Sequence, residues 1–198
     1  VERGHRHTQA TVAVARRLVE RTWTVLTRGQ PYQFRDATGQ AVTRTVVPAL
    51  YNDLDGLRRI FERDGDRIAA VLIEPLLGNA QGILPRPGFL QGVRAITREF
   101  GALLIFDEVK TGFRAARGGA AERFGITPDI ATYAKAMGNG YPAAAFGGRE
   151  EVMSVLPDKV SHGGTYAGNR VAASAARKTL EILRDTDALE TIHATGRR

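Results

Sequence analysis

Chemistry in this chain is restricted from the outset: its 198 residues include no cysteine, so any nucleophile is an amine, hydroxyl, imidazole or carboxylate. Lys135 stands out among these. It follows an apolar stretch and precedes Gly138-Asn139-Gly140, where glycines let a backbone approach a ligand closely. An amine held at an apolar rim is favoured in its neutral form, because burial disfavours the ammonium, and a neutral lysine attacks carbonyl carbon. A surface lysine whose stem lies along apolar neighbours would give the same local sequence. Asp107 follows the apolar run 102–106, where a carboxylate needs a cation or hydrogen-bond donors to stay ionised. A protonated pyridine nitrogen would be such a cation; a strand-end aspartate satisfied by neighbouring backbone is the plainer alternative. The loop His162-Gly163-Gly164-Thr165 precedes a helical pattern, and backbone amides with a hydroxyl in that setting can hold a phosphate, although glycine pairs also occur in ordinary turns. Together the amine, the acid and the phosphate grip are what a protein must supply to a pyridoxal 5'-phosphate (PLP) site.

The elements that would position these residues are legible from residue 50 onward, where helical and strand-like segments alternate as in an α/β domain. The short apolar runs of such a domain are strands buried on both faces. Leu54, Leu57, Ile60 and Phe61 have helical spacing over 53–63, and the run 68–73 then reads as a strand ending at Glu74-Pro75. A helix over 89–100, stopped by Gly101, leads into a strand over 102–106. A short helix over 120–124 is followed by a strand-like segment, 129–134, that runs into Lys135. Beyond the breakers Gly138, Asn139, Gly140 and Pro142 lie a further apolar run at 143–146 and a helical pattern over 169–183. This order predicts a mainly parallel sheet with right-handed crossovers, whose ligands gather at the carboxyl ends of the strands. Glu74, Asp107 and Lys135 each fall at or just after such a run, which brings them to one rim although they are far apart in sequence.

Composition is that of an ordinary globular domain, with 43% hydrophobic and 25% charged residues. No run of about 18 apolar residues is present, as a membrane-spanning helix would require, and nothing at the start resembles a signal peptide. The expectation is a cytoplasmic protein without membrane contact. The net charge of +7 is concentrated in residues 1–48, where eight arginines face three acids, leaving only +2 for the rest. That segment lacks interleaved aromatics or any nucleic-acid-binding module, so no nucleic-acid partner is expected. His5 and His7 lack a third ligand nearby, and no metal site is expected.

Four ordered motifs add a family resemblance. Residues 105–114, Ile-Phe-Asp-Glu-Val-Lys-Thr-Gly-Phe-Arg, resemble the Asp-Glu-Val signature of class III PLP-dependent aminotransferases, and the Thr-Gly-Phe-Arg ending is most similar to glutamate-1-semialdehyde 2,1-aminomutases. Pro128-Asp129-Ile130 through Lys135 to Pro142 resembles the family's lysine segment. Gly163-Gly164-Thr165-Tyr166 with Gly168-Asn169 resembles its phosphate loop, and Ile73-Glu74-Pro75 with 84–90 also fits. The resemblance covers roughly residues 45–195. It implies the large domain of a fold-type I PLP-dependent transferase and the transfer of an amino group, as aminotransferase or aminomutase, from a small-molecule donor to a carbonyl acceptor. Lys135 would form the Schiff base and carry the proton, Asp107 would partner the ring nitrogen, and Val109 would pack on the ring. Gly164 and Thr165 would bind the phosphate of cofactor held mainly by the other subunit of a homodimer with shared sites. Glu74 and Asn79 would line the site.

The first stretch departs from the family pattern. Thr8-Gln9-Ala10-Thr11 and a helix to about residue 22 resemble the segment after the family's Ser-Gly-Thr turn, but Arg6 and His7 stand at the Ser-Gly positions, and a Tyr-His-Gly segment is missing. The expected organisation is a poorly matching basic segment with a helix at 1–48 and a partial large domain at 49–198, truncated at both ends and without the C-terminal small domain. An inactive family member, acting if at all as a partner subunit, is the alternative functional expectation.

Overall fold

A computed structural model describes residues 46–156 and 163–197. Helix α1 (Leu54–Asp64) starts at Asp53, whose Oδ1 accepts the Gly56 amide at 2.8 Å, and turns Leu57 and Phe61 into the core. A 3₁₀ turn (Gly65–Arg67) then delays the first strand, β1, to Ala70–Ile73. Helix α2 (Phe89–Glu99) buries Phe89, Leu90, Val93, Ile96 and Thr97 along one stripe. Gly101, at φ +68°, turns the chain from the end of α2 into β2 (Leu103–Asp107). Helix α3 (Gly119–Phe124) precedes β3 (Ile130–Tyr133), and a 3₁₀ turn (Lys135–Met137) follows it. The remaining elements are β4 (Ala145–Gly148), α4 (Glu150–Met153), α5 (Arg170–Asp185) and α6 (Ala188–Gly196). Asn169 caps α5 by accepting the Val171 and Ala172 amides. Helix α6, which apolar spacing does not announce, buries Leu189, and its His193 Nε2 lies 2.6 Å from the Arg114 carbonyl. The expected helix up to about residue 22, Arg6 and His7, and the rest of 1–45 lie outside the described residues.

The described strands form one sheet in the order β1-β2-β3-β4. β1, β2 and β3 are parallel, with helices in the two connections, as expected. The run expected at 143–146 is corrected to a strand shifted to 145–148; it runs antiparallel to β3 in a sheet that is otherwise parallel, in keeping with the mainly parallel expectation. Residues 134–144, which hold no helix longer than the 3₁₀ turn, join β3 to β4, and a parallel pair would need a longer crossover, usually an α-helix. Gly148 also fixes the register, since a Cβ there would stand 2.1 Å from the Asp129 carbonyl oxygen.

Burial on both faces is likewise corrected. One face, bearing Leu104, Phe106 and Ala131, packs under α1 and α2 with Phe61, Leu90 and Val93. The other carries Leu72, which is 50% exposed, beside Ile105 in the ladder.

The amino ends of β2 and β3 are tied by Asp129. Its Oδ2 accepts the Leu104 amide at 2.7 Å and pairs with Arg94 of α2 at 2.7 Å, while Arg149 approaches Oδ1 at 3.2 Å. Burial alone would raise this carboxyl, but the Leu104 amide, Arg94 and Arg149 outweigh it and hold Asp129 below the ordinary aspartate value. A depressed carboxylate contributes stability that is present above the unfolded value of about 3.9 and is lost as pH falls through the lower folded value. Asp129→Asn is expected to lower the unfolding free energy at neutral pH by about 3 kcal/mol. Denaturant titrations of both proteins at descending pH should also show a shallower acid loss in the variant.

Candidate active site

The register gathers three of the candidate residues. Ile73 lies beside Phe106 and Asp107 beside Thr132, so Glu74, just past β1, and Lys135, three residues past Thr132, leave the sheet at the same end as Asp107. Asp107 is half-buried. Its Oδ1 accepts the Val109 amide at 2.9 Å, which folds the chain back and brings Val109 to the same rim. The backbone-bonded alternative for Asp107 thus holds at one oxygen. Among the described residues no lysine, arginine or histidine pairs with it.

Lys135 opens the 3₁₀ turn with φ +48°, a left-handed conformation unusual for a residue with a side chain. Its carbonyl accepts the Gly138 and Asn139 amides, and Met137 anchors the turn in the interior. Lys135 is exposed in this chain, in keeping with the surface-lysine alternative rather than with an amine buried at an apolar rim. Helix α5 packs against its turn.

Glu74 and Asn79 bond to each other. Glu74 Oε1 accepts from Asn79 Nδ2 at 2.8 Å and Oε2 accepts the Gly78 amide at 3.0 Å. Lys110 Nζ donates to the Gly78 carbonyl at 2.9 Å, tying the loop after β1 to the loop after β2. Gly164 and Thr165 lie in the exposed turn before α5, where the Gly164 carbonyl accepts the Ala167 amide at 2.9 Å. Among the described residues no hydrogen bond joins either of them to Asp107, Val109 or Lys135. His162 of the same loop lies outside the described residues. No cluster of three or more metal-ligating side chains occurs among the described residues, and no described helix is long and apolar enough to cross a membrane.

Sequence reasoning assigned no role to Glu108, whose carboxylate is wholly buried against the start of α3, or to the Phe113 ring, 5.4 Å from that of Tyr133. Burial, then the Glu108 charge, raises the Tyr133 phenol. The available signal for Glu108 was its parity: it continues the buried even-numbered face of Leu104 and Phe106.

The family model for class-III aminotransferases matches residues 4–198. The chain belongs to that family. The match takes in the basic N-terminal stretch as well as the described sheet. Among curated relatives, the chain is 47% identical over 155 residues to a glutamate-1-semialdehyde 2,1-aminomutase from Syntrophobacter fumaroxidans, covering 77% of this chain and 36% of that protein. Among solved structures, an omega-transaminase from Sphaerobacter thermophilus superposes with a TM-score of 0.69 at 40% identity, covering 76% of this chain and 35% of that one. A glutamate-1-semialdehyde aminomutase from Pseudomonas aeruginosa, solved in complex with PMP, gives a TM-score of 0.59 at 30% identity over 75% of this chain and 37% of that one. The chain therefore spans little more than a third of these relatives, and its sheet is part of the PLP-dependent transferase fold.

Tyr51 supports the rim from below, donating its hydroxyl to the Pro75 carbonyl at 2.9 Å. Its phenol is pushed up to about 12, by burial first and by the Glu74 charge second. Because an unfolded tyrosine ionises near pH ~10, stability from this group is complete below that pH and is lost as pH rises through the folded value. Tyr51→Phe is expected to lose about 1 kcal/mol at neutral pH with its hydrogen bond. Denaturant titrations in the alkaline range should show a smaller pH-dependent decline in the variant.

Proposed function

We propose that this chain supplies the lysine and the ring-binding carboxylate for PLP-dependent amino-group transfer between an amino compound and a carbonyl compound, in the manner of an aminotransferase or glutamate-1-semialdehyde aminomutase. The observation that carries the reading is the pairing of β2 with β3, which brings Asp107 and Lys135 to the carboxyl ends of adjacent parallel strands. A half-buried carboxylate with no cation of its own among the described residues suits a protonated ring nitrogen. PLP is the cofactor that membership of the family indicates. When bound it supplies an aldehyde for condensation with amines and a ring that accepts electron density.

The chain's own residues would divide the remaining work. Asp107 would hold the proton on the ring nitrogen, Val109 would pack on the ring, and Lys135 Nζ would provide the amine and serve as the proton carrier at the reacting carbon. The Thr165 hydroxyl and the Gly164 amide bind phosphate across a homodimer interface. Glu74 and Asn79, bonded together, line the rim beside Asp107. The resemblance supports a cytoplasmic homodimer with shared sites, and the 47% identity to an aminomutase supports that branch of the family.

The test is an absorbance titration of the purified chain with PLP, followed by borohydride reduction and peptide mapping. The expected result is saturable binding with the reduced label on Lys135 and no label in Lys135→Ala. A label that persists elsewhere in the variant would overturn the assignment.

A further inference from the structure

We propose that Glu108 is a positioning residue, whose buried carboxylate fixes the Asp107–Val109 turn in the orientation that meets the cofactor ring. This role rests on the assignment of Asp107 and Val109 to the cofactor ring. Glu108 extends the inward face of β2 beyond Leu104 and Phe106, and all three are 0% exposed. A carboxyl side chain on an apolar face needs strong compensation. Among the described residues no cation provides it, and three donors do so instead. The Ala120 amide donates to Oε2 at 2.8 Å, the Ala121 amide to Oε1 at 2.7 Å, and the Thr111 hydroxyl also donates to Oε2.

The backbone of the same residue is held on both sides. Its amide donates to the Thr132 carbonyl at 3.0 Å, and its carbonyl accepts the Gly112 amide at 2.8 Å. The chain is also shaped around the carboxylate. Gly119 lies at φ +73°, and a Cβ there would stand 2.5 Å from Glu108 Oε2. With β2, β3, α3 and the loop after β2 converging on one residue, Glu108 cannot rotate without swinging its two neighbours. Asp107, on the opposite face of the strand, and Val109, bonded to it, are those neighbours.

The donor set also specifies a carboxylate rather than an amide. Whichever way a glutamine is turned at this position, its NH₂ group faces the N–H of either Ala120 or Ala121, so one bond is lost and two donors oppose each other.

The experiment compares the unsubstituted chain with Glu108→Gln, with the milder Thr111→Val, which removes one donor, and with Leu57→Ala as a destabilised control in the core beneath α1. Amide hydrogen exchange is read by mass spectrometry on peptides covering 105–111 and 118–124. PLP affinity and the pH midpoint of the bound-cofactor absorbance spectrum are read by titration. Glu108→Gln is expected to speed exchange in both peptides on the order of tenfold, as loss of a hydrogen bond to a charged group implies. It should also weaken PLP binding by a similar factor and move the spectral pH midpoint. Thr111→Val should do the same to a smaller degree, and Leu57→Ala should leave the PLP affinity and the spectral midpoint unchanged. Unaltered exchange over 105–111 in Glu108→Gln, or PLP parameters no different from those of Leu57→Ala, would overturn the proposal. Absence of PLP binding by the unsubstituted chain would instead fail the reading of the site, and exchange would then decide alone whether Glu108 holds the turn.

Discussion

The bond between Asp129 and Leu104 is the constraint on which the rest of the site depends. Leu104 N donates to Asp129 Oδ2, Asp129 N donates to the Leu104 carbonyl at 2.8 Å, and Arg94 locks the same carboxylate to the helix above. A parallel strand can slip by two residues and keep its faces, but such a slip would move Lys135 by about 6–7 Å relative to Asp107. A buried ion pair gives little net stability over a well-packed apolar replacement. What this one contributes is position, because no apolar contact distinguishes one register from the next as sharply as a charge that must meet a particular amide.

Glu108 does at the carboxyl end what Asp129 does at the amino end. Between the two carboxylates lie apolar residues, Leu104, Phe106 and Ala131, whose packing under α1 and α2 is directionless. Polar groups at both ends convert that packing into a defined geometry. The two differ in chemistry: Asp129 is met by two guanidinium groups and an amide, whereas among the described residues Glu108 is met only by neutral donors of the loop and helix that come after it. One fixes strand against strand and the other fixes strand against loop, and a rim that binds a ligand needs both.

Much of this was legible in the sequence, and the failures share a physical cause. Leu57 and Phe61 on α1, and Leu90, Val93 and Ile96 on α2, repeat at helical spacing, so both helices could be placed to within a residue or two. The strands β1, β2 and β3 followed from short apolar runs ended by polar residues. β4 was misplaced because its position is set by how closely the Gly148 backbone approaches Asp129, a contact made in space and invisible to hydropathy. Burial on both faces was overestimated because an apolar run such as 68–73 records what a strand can tolerate, whereas Leu72 shows what actually covers it. The candidate residues Glu74, Asp107 and Lys135 were found from their places at strand ends. Glu108 was passed over because a sequence displays an acid but not the amides folded back to meet it. The left-handed backbone at Lys135 leaves no trace in the residue type either, since lysine is not a residue that favours it.

That last feature bears on how such a chain would drift. A non-glycine residue held in the left-handed region costs about 1 kcal/mol or more relative to glycine, which adopts it freely. With no demand for an amine at this point, substitution of Lys135 by glycine or asparagine would relieve the backbone and make the fold more stable, so random change would run downhill toward losing the lysine. Its presence at φ +48° means that the candidate amine of the rim sits where stability alone would not have put it. On the role proposed for Lys135, position 135 is therefore a place where thermodynamic improvement and chemical competence pull in opposite directions, and a stabilised version of this domain chosen on folding alone would be drawn toward a form without that amine.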